Sequence, residues 1–250
     1  MKAMRRAALL LATMVAAPAG WAAEARVAVA ANFTEPAKAI AAVLKKTSGH
    51  TLKLSFGATG AFYTQIRNGA PFDLLLAADE ERPALLEQEG LAVPGSRFTY
   101  AIGKLVLWSV DPAKVDDRGE ILKSSQVRKV AYANPKTAPY GAAAVQVLEK
   151  MGLAEPLKPR LVQGDSIGQT FSFVKTGNAD IGFVALSQVL DGGKLREGSM
   201  WVIPPSLYRP IRQDAVLLQR GQHNQAALEL IRLLRSPDIR DLIRSYGYDL

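Results

Sequence analysis

The chain has 250 residues, 48% of them hydrophobic and 22% charged, with a formal net charge of +8, two histidines and no cysteine. The lack of cysteine excludes disulfides, thiol chemistry and Cys-ligated zinc or iron–sulfur sites, and a chain this long buries enough apolar surface to fold without cross-links. His50 and His223 alone offer few members for a multi-histidine metal site or a histidine relay, and a mildly basic balance suits an anionic ligand among many other partners.

Lys2, Arg5 and Arg6 precede an apolar run over residues 7–17, and small residues follow, with 20–22 or 23–25 as cleavage triplets. This is the pattern of a signal peptide, here over residues 1–23, and it predicts an exported protein. The run is shorter than the ~20 residues that a bilayer span requires.

From Arg26 onward, short apolar runs alternate with amphipathic stretches, the pattern of parallel strands joined by helices. Strands are expected over 27–30, 51–56 and 74–77. A helix opens at Thr34 or Glu35, with Pro36 in its first turn, where the missing N–H is harmless; Gly49 follows its end. Shorter helices are expected over 62–68 and 80–89. A strand over 105–110 leads into an irregular crossing marked by Asp111-Pro112 and Asp116-Asp117. The alternation then resumes, with strands over 129–133, 160–162, 181–185, 200–203 and 214–219 and helices over 141–150, 166–176, 225–235 and 237–246. The architecture thus runs twice, which predicts two lobes: 24–105 with 207–250, and 106–206. The alternative is one doubly wound domain. Ligands of open α/β sheets bind beyond the carboxyl ends of strands, near helix N-termini.

Four strand-to-helix junctions are rich in small residues and neutral donors: Ala30-Ala31-Asn32-Phe33-Thr34, Phe56-Gly57-Ala58-Thr59-Gly60-Ala61, Pro135-Lys136-Thr137-Ala138-Pro139-Tyr140-Gly141 and Gly164-Asp165-Ser166-Ile167-Gly168. The first N–H groups of a helix lack intrahelical partners and carry partial positive charge. An oxyanion placed there accepts several hydrogen bonds without needing a lysine or arginine. Any one junction is read as well as an ordinary helix cap, and Tyr140 as a packing residue. The Gly57–Gly60 turn lacks the third glycine of a dinucleotide fingerprint, and no Gly-Lys-Ser/Thr makes it a P-loop.

Read in order, these junctions resemble those of the periplasmic molybdate-binding proteins of ABC importers. The resemblance covers about residues 26–246. Its most specific pieces are Val29-Ala30-Ala31-Asn32-Phe33, Ser55-Phe56-Gly57-Ala58-Thr59-Gly60, the run Gln65-Ile66-Arg67-Asn68-Gly69-Ala70-Pro71-Phe72-Asp73-Leu74 with Ala77-Ala78-Asp79, and Gly177-Asn178-Ala179-Asp180-Ile181-Gly182-Phe183-Val184-Ala185. It implies an α/β, two-lobed (type II) binding-protein fold, each lobe a mostly parallel sheet flanked by helices, with two chain crossings at the hinge. It implies a periplasmic, monomeric, non-enzymatic subunit that needs no cofactor and passes molybdate or tungstate to a membrane permease. The molybdenum or tungsten is held only as its oxyanion, through Asn32, Thr59, Tyr140, Ile167 and Ala31. Asn32 stands where the family has Ser or Asn, Thr59 where it usually has Ser, and Ile167 where a backbone N–H meets the anion. The chain departs from other members at Ala185, where they carry a ligand tyrosine; Tyr140 marks the subgroup that supplies the tyrosine from the earlier turn.

Competing readings have less to draw on. Another oxyanion, such as sulfate, phosphate or thiosulfate, fits the same fold; a phosphate binder would want a proton acceptor, for which Asp165 is the candidate, though an acid there also complements a helix dipole. A ferric complex calls for several tyrosines with an acidic or histidine ligand, and only Tyr140 and Tyr208 stand in suitable regions. Catalysis through Ser166 and Asp165 lacks a base within reach and a nucleophile elbow. Nucleic-acid binding lacks a basic run, and Arg232, Arg235, Arg240 and Arg244 read as a solvated helix face.

Overall fold

β1 (Glu24–Ala30) opens a computed structural model that describes residues 22–250; the signal peptide expected over 1–23 lies, but for its last two residues, outside the described residues. Ala31–Phe33 forms a 3-10 turn that runs directly into α1 (Thr34–Ser48), whose Ala37, Ile40 and Leu44 share one buried face. Gly49 ends the helix at φ 76°, returning its N–H to the Lys45 carbonyl, a left-handed position that glycine adopts without a steric penalty. Then come β2 (Thr51–Gly57), α2 (Thr59–Arg67), β3 (Leu74–Leu76), α3 (Glu81–Gln88), β4 (Phe98–Gly103) and β5 (Leu105–Ser109). The rest of the chain adds β6 (Val130–Ala133), α4 (Pro139–Lys150), α5 (Ala154–Leu157), β7 (Leu161–Gly164), α6 (Ile167–Lys175), β8 (Ile181–Ala185) and α7 (Leu186–Val189). β9 (Leu190–Asp191), β10 (Lys194–Leu195), β11 (Ser199–Val202), β12 (Ile211–Leu217), α8 (Gln225–Leu234) and α9 (Pro237–Ser245) complete it.

The strands form two five-stranded sheets, β2-β1-β3-β12-β4 and β11-β5-β8-β6-β7, and a small β9–β10 hairpin. Both large sheets are mixed rather than mostly parallel. β1 pairs parallel with β2 and β3, and β6 with β7 and β8, but β12 runs antiparallel to β3 and β4, and β5 antiparallel to β8 and β11. The antiparallel strands cluster around the two passages between sheets, because a strand that arrives from the other lobe need not follow a crossover helix.

Side chains alternate across each sheet. In the first, Val27, Val29, Leu74 and Leu76 pack with α1, α8 and α9 on one face, while Ala28, Leu75 and Val216 pack with Phe62, Ile66 and Leu86 of α2 and α3 on the other. In the second, Leu105, Leu107, Ile181 and Phe183 face α4, and Val106, Trp108 and Val184 face α6 and α7. Helices on both faces explain why β3 and β8 are buried at every position and read as continuous apolar runs.

The chain passes from the first sheet to the second at Lys104, since Gly103 pairs with Ile211 and Leu105 already pairs with Ala185; it returns between Val202 and Ile211. The irregular stretch after β5, expected as a crossing, stays with the second sheet: its Val115, Leu122 and Val127 are buried in that sheet's core. β4, α5, α7 and the small hairpin were not anticipated. Among the described residues, no helix is long and apolar enough to cross a membrane.

Candidate functional site

All four junctions meet in one cavity between the lobes, lined by Ala30, Ala31 and Asn32, by Gly57, Ala58 and Thr59, by Ala78, by Ala138, Pro139 and Tyr140, and by Ile167. The void is small, and no charged side chain lines it. Asn32, Thr59, Tyr140 and Ile167 are buried and Ala31 nearly so. The structure therefore brings together all five residues singled out from the sequence.

Thr59 opens α2 three residues earlier than the apolar pattern suggests, and it makes no side-chain cap bond. Its Oγ1 instead accepts the Ala78 N–H at 2.9 Å, so its own proton remains to be donated. Tyr140 lies in the first turn of α4 behind Pro139. Its Oη accepts from Gln213 Nε2 at 3.0 Å, and the neighbouring Tyr248 hydroxyl is a second hydrogen-bond partner. Burial holds the hydroxyls of Tyr140, Tyr100 and Tyr248 above the ordinary phenol range, so all three stay neutral. Ile167 begins α6 behind the true cap Ser166, whose Oγ accepts the Gln169 N–H; the first N–H groups of α6 have no intrahelical acceptor.

Asn32 differs from the expectation of a side-chain donor. Its Nδ2 gives both protons away, to Gln213 Oε1 at 2.9 Å and Tyr248 Oη at 3.0 Å, and its Oδ1 is buried without a partner. A buried acceptor left this way costs about 1–3 kcal/mol. What Asn32 and Ala31 offer the cavity is the 3-10 turn itself, whose leading N–H groups are unpaired within the turn.

The lobes touch on both sides of the cavity. Gly60 N–H donates to the Thr137 carbonyl at 2.9 Å, Arg82 Nη2 to the Lys136 carbonyl at 2.9 Å, and Ser187 Oγ to the Asn32 carbonyl at 2.8 Å. Arg82 is held in place by Asp79, whose Oδ2 lies 2.6 Å from Nη1; burial raises the Asp79 pKa, against the opposing pull of Arg82. This is a closed arrangement in which backbone of one lobe meets backbone or a side-chain donor of the other.

Sequence reasoning missed Gln213, Tyr248 and Ser187, which hydrogen-bond to Asn32, and Tyr100, which bonds to Gln213 behind it; all lie far from Asn32 in the chain, and no local pattern marks them. Apart from Tyr140, the residues behind competing readings fall outside the cavity, as does Ala185, where the chain departs from other members. Asp165 is exposed, Tyr208 is tied to the Leu105 N–H through its hydroxyl, and Ala185 ends β8. No group of three or more His, Asp or Glu side chains suited to a metal ion occurs among the described residues.

Comparison with known proteins bears on this cavity. Residues 25–249 match the family model described as bacterial extracellular solute-binding protein. The chain is 56% identical over 247 residues to the molybdate-binding protein ModA of Azotobacter vinelandii, covering 99% of this chain and 98% of that one. It is 54% identical over 241 residues to ModA of Rhodobacter capsulatus, covering 96% and 94%. The solved structure of the Azotobacter vinelandii periplasmic molybdate-binding protein superposes with a TM-score of 0.88 at 41% identity, covering 90% of this chain and 99% of that chain.

Proposed function

Because the chain belongs to the bacterial extracellular solute-binding protein family, we propose that it is the molybdate-binding subunit of an ABC importer, a carrier rather than an enzyme. It holds the anion between its two lobes, works as a monomer in the periplasm and delivers its load to a membrane permease. Tungstate, nearly equal in size, is the second ligand. The observation that carries this reading is the convergence of four junctions from both lobes on one small cavity free of charged side chains.

The site works by neutral donation. Thr59 and Tyr140 each direct a hydroxyl proton at the anion, and the turns at Ala31–Asn32, Thr59 and Ile167 add backbone N–H groups carrying helix-end partial charge. Such donors need no counter-charge to be desolvated, so closure buries only the ligand's charge. A tetrahedral dianion accepts from both walls at once, and this favours the closed form over the open one. Release follows when opening removes one wall's donors.

Calorimetric titration of the mature protein with molybdate, tungstate, sulfate and phosphate tests the reading. Tight binding of the first two is expected, with sulfate and phosphate weaker by at least about a hundredfold, the equivalent of losing about one strong hydrogen bond to the charged ligand. Comparable sulfate binding would overturn it.

A further inference from the structure

Both hydroxyl donors of the cavity are held from behind by a group that donates to them. For Thr59 that group is the Ala78 backbone N–H, which cannot turn. For Tyr140 it is the side-chain amide of Gln213, which can. Gln213 is fully buried on β12, the strand that returns from the second lobe, at the point where the β12–β4 register shifts between Gln213 and Asp214. Its Oε1 accepts from Asn32 Nδ2 at 2.9 Å and from Tyr100 Oη at 3.2 Å, and its Nε2 donates to Tyr140 Oη at 3.0 Å. Gly103 on β4 makes room for this meeting: a Cβ there would lie 2.0 Å from Tyr140 Oη and 2.5 Å from Gln213 Nε2.

The Asn32 amide aimed at Oε1 sets which way round the Gln213 amide lies, since Tyr100 shares its one proton between the Ala77 carbonyl at 3.0 Å and Oε1 at 3.2 Å. Turned over, Gln213 would set its NH2 against the NH2 of Asn32 and its carbonyl against Tyr140. Tyr140 would then give its proton to Gln213 and show only lone pairs to the cavity. In the orientation found, Tyr140 accepts from Gln213 and keeps its proton for another acceptor, and a hydroxyl that accepts one hydrogen bond donates a stronger one. Without ligand that proton has the neighbouring Tyr248 hydroxyl as an acceptor, shared with Asn32, and the bound anion, carrying full charge, is the stronger acceptor.

We propose that Gln213 is a positioning residue of the oxyanion site: held by Asn32, its amide donates to the Tyr140 hydroxyl and so leaves the Tyr140 proton for the bound anion. Asn32 thereby serves the anion indirectly, with both of its amide protons engaged in holding Gln213 and Tyr248. The proposal rests on the molybdate reading above.

Molybdate titration of the wild type, Gln213→Met, Gln213→Glu, Tyr140→Phe and the Gln213→Met/Tyr140→Phe double variant tests it. Gln213→Met is expected to bind about tenfold more weakly, the scale of one weakened hydrogen bond to a charged group. Gln213→Glu is expected to lose more than about a hundredfold, since a carboxylate accepts the Tyr140 proton and adds negative charge beside the anion. The double variant should bind within about twofold of Tyr140→Phe, because the effect of Gln213 passes through Tyr140. A purely structural role predicts losses that multiply. Multiplying losses, or wild-type affinity in Gln213→Met, overturn the proposal alone; a wild type that binds no molybdate overturns the ligand reading and the proposal with it. If a substitution at this buried position prevents folding, the wild type still decides. The Gln213 side-chain amide resonances should shift and exchange more slowly when molybdate is added, and unmoved resonances overturn the proposal.

Discussion

Thr59 and Tyr140 show how a residue becomes a donor through what it accepts. A threonine hydroxyl at a helix start ordinarily accepts from the helix it begins; Thr59 accepts from Ala78 across the junction instead, and its proton is left over. Thr59→Val, which keeps the shape and removes the hydroxyl, is therefore expected to weaken molybdate binding by about 1.5–3 kcal/mol, measured by calorimetry; unchanged affinity would reduce Thr59 to a tie between two turns. The donors also lack any group that titrates near neutrality. Burial raises the phenol pKa of Tyr100, Tyr140 and Tyr248, so below about pH 10, where an exposed phenol ionises, all three are protonated whether the chain is folded or not. Their contribution to stability is complete below that pH and is lost as pH rises toward their higher folded values. Molybdate affinity should accordingly stay level from about pH 6 to about pH 9 and fall with the fold above about pH 10; a titration series across that range checks it, and a step near neutrality would mean that a histidine or carboxylate takes part. At this scale the sequence was informative about Asn32, Thr59, Tyr140 and Ile167 as members of a site. It was silent on the direction of their protons, because Gln213 and Ala78 are neighbours only in space.

At the scale of elements, the junction after β2 carries the point most open to test. Gly60, the second residue of α2, gives its N–H to Thr137 of the other lobe, and a Cβ on it would stand 2.9 Å from Thr137 Cα and 3.2 Å from Thr137 O. Both neighbours are backbone atoms and cannot swing aside. Gly60→Ala should thus hold the lobes apart by pressing on the second lobe, while helix propensity alone favours alanine at that position. The expected result is weaker molybdate binding with an unchanged or slightly raised melting temperature without ligand. Small-angle scattering should show that the variant compacts less when molybdate is added; wild-type affinity would mean that closure has slack at this contact. The element pattern was legible wherever apolar periodicity was strong. α1 with its Gly49 stop and β8 were expected close to where they lie, whereas β4 was not seen. Its sequence, FTYAIG, mixes buried and half-buried positions, and its partners β12 and Asp249 lie more than a hundred residues away.

For the whole molecule, two sheets joined by two passages make a hinge, and the closed form is stopped by backbone contacts at Gly60–Thr137 and by Arg82 against the Lys136 carbonyl. A fixed stop gives the cavity a fixed size. A smaller oxyanion then reaches fewer donors at once, which is the physical basis expected for rejecting sulfate. Because molybdate binds the folded chain, a hundredfold excess over Kd should stabilise it by about 2.7 kcal/mol and raise the melting temperature by roughly 5–10 °C, against little change with sulfate at the same concentration. Equal shifts for both anions would show that the stop does not select by size.

The amino-acid sequence by itself determined the α/β alternation, the two-lobed plan and the four donor-rich junctions, because periodicity, turn residues and helix starts are local properties that neighbouring residues impose on one another. The tertiary structure alone decided that the sheets are mixed and that the junctions share one cavity. It also decided that Asn32 points its protons at Gln213 rather than into that cavity. These depend on contacts such as Asn32 with Gln213, 181 residues apart, and Asn32 with Tyr248, 216 apart; no local preference encodes them, since they form only when the packed lobes leave a buried donor with one acceptor in reach.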